Sequence, residues 1–141
     1  MRMTDPLIGT WKLDVAKTRF DALLQVDLKE ATAVYRKIDA DNIEVAATST
    51  RMDGSPISFK ATFPRQGGAT KVKKGDLREG ISGFVTVIHP SIFYLTILQN
   101  GKQVLVFHSV ISRDGKTKRD KFKGFDAEGK PYRGQELWEK Q

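Results

Sequence analysis

The sequence predicts an all-β chain whose short antiparallel strands fold as a sandwich or a barrel. Turn residues recur at short, fairly even intervals: Asp39-Ala40-Asp41-Asn42, Asp53-Gly54, Gly67-Gly68, Asn100-Gly101, Asp114-Gly115 and Glu128-Gly129. Asn-Gly and Asp-Gly mark tight hairpins, because such turns need the positive φ that these residues tolerate. Between the turns lie segments rich in Val, Ile, Thr, Phe and Tyr, as short strands require. Long crossover helices are missing from the pattern, so neighbouring strands are expected to pair antiparallel.

Strands are predicted at Ile8–Val15, Thr32–Ile38, Ile43–Arg51, Ile57–Phe63, Thr70–Lys73, Gly83–His89, Ile92–Gln99, Gln103–Ser112, Lys116–Phe125 and Tyr132–Glu139. Only Ala16–Val26 reads as helical, with Phe20, Leu23 and Leu24 forming one apolar face over a barrel end. Pro64 to Gly80, rich in glycine and lysine, is the least regular stretch and reads as a mobile loop. The 141 residues suit one domain.

Period-two alternation assigns faces to these strands. Arg119, Lys121 and Lys123 need water, which sends Lys118, Asp120, Phe122 and Gly124 inward. In the last strand Tyr132, Glu136 and Trp138 share a face. The strands at Ile92–Gln99 and Gln103–Ser112 are apolar on both sides: Val104, Val106 and Val110 on one, Leu105, Phe107 and Ile111 on the other. Such strands are covered on both sides. The outer cover is expected to be the Ala16–Val26 segment or a second copy in a homodimer.

Composition bounds the chemistry. There are no cysteines, which excludes disulfides and thiol catalysis. The start, Met1-Arg2-Met3-Thr4-Asp5-Pro6, lacks the apolar run of a signal peptide, and no stretch has the ~20 apolar residues of a membrane span. The expectation is a soluble, cytoplasmic chain. The net charge of +7 favours acidic ligands in general, but the cations are scattered along alternating strand positions. No nucleic-acid-binding motif accompanies them, so no nucleic-acid partner is expected. No Walker, dinucleotide or His-Glu-x-x-His pattern occurs, and no cofactor or metal is expected. His89, His108 and Asp120 would make a metal site only if they converged.

The first strand reads Leu7-Ile8-Gly9-Thr10-Trp11-Lys12-Leu13, and the chain ends Ser112-Arg113-Asp114-Gly115-Lys116-Thr117, Gly129-Lys130-Pro131 and Leu137-Trp138-Glu139-Lys140. This Gly-x-Trp opening with this ending resembles the lipocalin and calycin group, and small bacterial lipocalin-like domains in particular. The resemblance implies a single up-and-down barrel of roughly 8–10 strands, lipocalin/calycin-like, that encloses apolar ligands. It implies structural roles for Gly9 and Trp11. Gly9 permits a bend, and Trp11 plugs the closed end beneath a cation, for which Arg133, Arg36 and Lys140 are candidates.

Polarity at interior positions marks the candidate site. His108 shares a face with Val106, Asp120 with Phe122, and Glu136 with Tyr132, while Tyr94 belongs to the neighbouring strand. A buried carboxylate needs a hydrogen bond, a counter-charge or a ligand. Asp120 therefore either pairs with Lys118 or His108 to close a polar end, or serves a cavity. In the cavity reading, Tyr94, Val106, His108, Asp120, Phe122, Tyr132 and Glu136 line a ligand site. His108 and Asp120 would then act as base and orienter, with Tyr94 as donor. Three functions follow: binding of a small, largely apolar and conceivably anionic molecule; a cofactor-independent isomerase, cyclase or lyase; or a filled barrel that dimerises or docks a partner.

Overall fold

The computed structural model describes residues 5–141; Met1 to Thr4, on which part of the leader reading rests, lie outside the described residues. Among residues 5–141 there is no α-helix. The strands are β1 (Gly9–Leu13), β2 (Phe20–Asp21), β3 (Val26–Lys37), β4 (Asn42–Arg51), β5 (Pro56–Pro64) and β6 (Gly68–Ala69), followed by β7 (Lys71–Gly75), β8 (Ile81–His89), β9 (Ile92–Gln99), β10 (Lys102–Ile111), β11 (Thr117–Phe125) and β12 (Pro131–Lys140). The strands form an antiparallel ladder in the order β6-β8-β9-β10-β11-β12-β1-β3-β4-β5-β7, with β2 added to β3. The ten expected strands are all present, with the two-residue strands β2 and β6 in addition. The β9–β10 hairpin has the two-residue turn its Asn-Gly pair predicts, with both φ positive (52° at Asn100, 83° at Gly101).

The two chain ends close one wall of the barrel. β1 lies between β12 and β3, with Trp11 opposite Lys140 and Ala33. Trp11 is fully buried. Its indole N–H donates to the Leu7 carbonyl at 2.9 Å, and the Lys140 ammonium sits 5.2 Å from its ring centroid. Of the three candidate cations, Lys140 fills the role. Gly9 (φ +139°) is needed here, since a Cβ on it would meet Lys140 Cε at 2.9 Å.

The other closure is a seam. β5 and β8 do not pair. The chain between them hydrogen-bonds first to one and then to the other: Gly68 and Ala69 pair with Val85 and Phe84 of β8, and Lys71–Gly75 pairs with β5. Thr70 N–H still donates to the Gly83 carbonyl at 2.8 Å before the chain crosses. Gly67 and Gly68, at φ +106° and +144°, make the turn that starts this crossing. The stretch read as a mobile loop is thus the stitch that makes the barrel nearly closed.

The Ala16–Val26 segment is not a helix. Asp21 Oδ1 accepts the Leu24 N–H at 2.8 Å, and Gln25 N–H closes on the Asp21 carbonyl at 2.7 Å. Gln25 then enters the left-handed region (φ 59°) and turns the chain back into β3. A short polar cap and this turn beat a weak amphipathic pattern. The segment does cover a barrel end, as expected. Phe20 packs on Phe122 and Tyr132 at centroid distances of 6.4 and 6.2 Å, and Ala22 is fully buried.

Trp11→Phe keeps the aromatic plug but leaves the buried Leu7 carbonyl without its donor. Such a loss costs on the order of 1–3 kcal/mol, and urea unfolding should show the midpoint falling accordingly. An unchanged midpoint would mean that this hydrogen bond does not hold the closed end.

Candidate functional site

Inside the barrel lies a cavity of about 140 Å³. One wall is aromatic and aliphatic, from Phe93, Leu95 and Ile97 of β9 and Phe107 of β10. The opposite wall mixes the small residues Ala33, Ala47 and Ala61 of β3, β4 and β5 with the larger Tyr35, Val45, Phe59 and Phe63 of the same strands. The half-buried Leu77 and Ile81 and the exposed Val72 and Ser82 border it near the seam. For comparison, an apolar cavity of about 150 Å³ admits benzene. The space is smaller than the ~300 Å³ usual for drug-sized ligands.

The third wall, on β11 and β12, carries charge. The alternation forced by Arg119, Lys121 and Lys123 points Lys118 and Asp120 inward, and both are buried. Lys118 Nζ donates to Asp120 Oδ2 at 2.7 Å, and lies 5.4 and 5.8 Å from the ring centroids of Trp138 and Tyr35. Burial pushes this ammonium down, yet the neighbouring Asp120 carboxylate and Tyr35 hold its pKa well above the ordinary value. Glu136, opposite Asp120 in the ladder, is buried as well. Desolvation, then the charges of Asp21 and Asp120, push its carboxyl well above the ordinary range; Lys118 and the Ala22 N–H act the other way. Asp21 of β2 is raised for the same first reason, its turn hydrogen bonds opposing.

Two buried polar atoms of this wall have no hydrogen-bond partner among the described residues: Asp120 Oδ1 and Trp138 Nε1. Both residues line the cavity. Neither atom is open to a molecule the size of water, so the two mark imperfect pairing within the wall rather than groups presented to the cavity.

The residues expected at the site divide into three groups. Asp120 and Glu136 line the cavity. Phe122 and Tyr132 point into the barrel beside it, within the cluster built on Phe107 and Ile97. Tyr94, Val106 and His108 stand on the outer face. His108 is opposite Lys121, whereas Asp120 is opposite the buried Ser109. The Tyr94 and His108 rings stack there, centroids 4.7 Å apart. The structure therefore does not bring His108 or Tyr94 to Asp120, and the base–orienter pair does not form. Asp120 pairs with Lys118, one of the partners expected for it. The reason for the misplacement is that β10 is apolar on both faces, so alternation alone cannot choose between them. Among the described residues nothing covers this outer face, since Ala16–Val26 lies at the barrel end instead. His89 ends β8, exposed, and accepts the Ser91 N–H at 3.1 Å.

Asp21 was not singled out from the sequence. Its signal was faint: one acid inside Phe20-Asp21-Ala22-Leu23-Leu24, a run otherwise apolar. Trp138 falls on the inward face that alternation predicts, but its unpaired N–H depends on three-dimensional packing.

A nearly closed antiparallel barrel with its chain ends paired around a Gly-x-Trp strand and an interior cavity defines a lipocalin/calycin-like fold. No protein-family model matches the chain, and no curated protein matches it. Among solved structures, the fluorescent protein UnaG superposes with a TM-score of 0.68 at 15% identity, covering 99% of this chain and 100% of that one. A mutant of UnaG gives 0.67 at 15%, with 99% of each chain covered. A de novo designed fluorescence-activating barrel aligns at 0.45 and 15%, covering 99% and 100%. At these identities the likeness to UnaG establishes the fold. Among the described residues no helix is long and apolar enough to cross a membrane.

The raised Glu136 pKa has a sign in stability. The folded chain binds more protons than the unfolded chain between the ordinary value of 4.5 and the raised one. This contribution is complete below pH 4.5 and is lost as pH rises through the folded pKa. Glu136→Gln removes the titration. The variant should match the wild type near pH 4 and gain on it above, by up to about 1.4 kcal/mol per pH unit. Denaturant unfolding of both chains from pH 4 to 8 measures this, and two parallel profiles would show that Glu136 ionises freely.

Proposed function

We propose that the chain is a single-domain binding module whose barrel encloses a small, largely apolar molecule. One observation carries this reading: a largely apolar cavity is left open inside the core. A barrel serving only as a structural body gains by filling such a space. The cavity volume supports a guest about the size of one aromatic ring. Charge within the barrel supports an uncharged guest over the anionic one that the net charge of +7 suggests. Three carboxyl groups, Asp21, Asp120 and Glu136, line the cavity against the single ammonium of Lys118.

Toluene is a suitable first probe. Millimolar toluene should raise the unfolding temperature saturably and shift the Trp138 indole resonance, leaving that of Trp11 in place. Ala61→Leu, which takes up part of the cavity, should weaken binding at least tenfold. Failure of any one-ring compound to bind the wild type would rule out the enclosed-ligand reading.

A second reading concerns the outer face, where Tyr94 and Val110 are exposed at 37% and 38% beside His108. This apolar face of β9 and β10 supports a homodimer with a second copy as its cover. Sedimentation velocity should then show a mass that rises with concentration, abolished by Tyr94→Glu. A monomer at all concentrations would remove this reading.

A further inference from the structure

We infer that the outer wall of β10, β11 and β12 docks on an anionic lipid surface. The docking stands apart from whatever the cavity holds.

Along the sequence the cations are scattered, but strand alternation gathers some of them on one wall. Arg119, Lys121 and Lys123 occupy every second position of β11 and are all exposed, so they form one column. Its members are about 6.6 Å apart along the strand, with no acid between them on that face. Lys123 is directly opposite Arg133 of β12, which is exposed as well. Like charges directly opposite one another are destabilising. Among the described residues, none of these four cations forms an ion pair.

Elsewhere on the barrel the cations have a partner or a structural use. Arg36 of β3 holds Glu44 at 3.0 Å, and Lys12 of β1 is opposite Glu139. Lys71, Lys73 and Lys74 lie on β7, which ends the ladder and pairs with β5 alone. Lysine on such a strand guards the edge against unwanted pairing. β11 is bonded to β10 on one side and β12 on the other, so it has no edge to guard. Solubility is served as well by charges of both signs. The uncompensated column therefore calls for an anionic partner, which relieves its repulsion.

The neighbouring strands indicate which anion. Arg119, Lys121 and Lys123 are opposite Val110, His108 and Val106 of β10, and His108 is opposite Tyr94 of β9. A cation column thus runs beside an apolar strip bordered by a tyrosine. At a bilayer surface, cations meet the lipid phosphates, apolar side chains enter the boundary with the acyl chains, and tyrosine sits at headgroup depth. Single-stranded nucleic acid would instead stack its bases on open rings. Tyr94 and His108 are stacked on each other, centroids 4.7 Å apart, and offer no such platform.

The test is co-sedimentation of the full chain at pH 7 with vesicles of phosphatidylcholine, alone or with about 30% phosphatidylglycerol. The chain should bind the anionic vesicles at least tenfold more tightly, and about 0.5 M salt should remove most of the difference. Lys121→Glu combined with Lys123→Glu should weaken binding at least tenfold, and Tyr94→Ser at least threefold. The same charge reversal on the seam edge, Lys71→Glu with Lys74→Glu, should stay within about threefold of the wild type. Lys121→Gln with Lys123→Gln, which relieves the repulsion, should weaken binding without lowering the urea midpoint. No preference for anionic vesicles would overturn the inference. So would an equal loss in the seam-edge variant, which would assign binding to net charge, or a lowered midpoint in the glutamine variant, which would assign the cations to the fold. Oligothymidylate or polyglutamate binding as tightly as the vesicles would overturn it in favour of a soluble polyanion. A dimer that anionic vesicles do not draw off would overturn it in favour of a second copy on this face.

Discussion

The interior of this barrel is organised around one buried cation. Lys118 is 3% exposed, and an ammonium taken out of water is costly unless something replaces its hydration. Here that replacement is the Asp120 carboxylate at 2.7 Å and the faces of Tyr35 and Trp138. Each of these choices constrains the next. The carboxylate that neutralises Lys118 adds a negative field in which Glu136 and Asp21 ionise less readily. The ring that faces the ammonium presents its N–H on the same wall. A hydrophobic residue at position 118 would remove the need for all of them. Stability alone does not account for such a wall, since buried ion pairs are seldom a net gain over apolar packing.

The opposite half of the barrel complements that wall. Alanines at 33, 47 and 61 leave space between the larger Tyr35, Phe59 and Phe63 on β3, β4 and β5, and β9 and β10 supply bulk from the other side. The cavity is bordered near the seam, where the crossing segment shares its hydrogen bonds between β5 and β8 instead of completing a ladder with either. Every residue of β7 is exposed. Little apolar burial therefore holds this edge, and regions held in that way open at lower free energy than the core. The charged wall and this edge lie on different strands, so the edge can open without disturbing the Lys118–Asp120 pair.

How much of this was legible in the sequence depends on how sharply each strand separates its faces. In β11 three cations at alternating positions leave one solution, and Lys118, Asp120 and Phe122 fall inward as read. β12 follows, with Glu136 and Trp138 buried. β10 gives no such separation. Valines on one face and Leu105, Phe107 and Ile111 on the other are equally apolar, and His108 marked the wrong one as polar interior. Ser109, beside Asp120 in the register, was the better marker, but only the pairing reveals it. The Gly-x-Trp opening was readable by resemblance, and its cation only as a set of three, because the β1–β12 register that selects Lys140 is a long-range fact. The seam was illegible for a related reason. Pro64–Gly80 has the composition of a loop, and it acts as a strand only because two edges need joining.

The net charge of +7 describes the outside of the barrel and not its cavity. The outward residues of β11, Arg119, Lys121 and Lys123, are exposed, and their field is screened within about 10 Å at moderate salt. They can attract an anion to the surface, but they do not set the chemistry of the cavity. Within it, the local balance is three carboxyl groups and one ammonium, in a medium of low polarity where each charge acts strongly on its neighbours. The raised Glu136 and Asp21 carboxyls already reflect that crowding: they give up negative charge before they accept more. An anionic guest would have to reverse the same balance at closer range, whereas an uncharged one leaves the Lys118–Asp120 pair as it stands. The surface charge and the interior chemistry are therefore separate features of one barrel wall, divided by the alternation of a single strand.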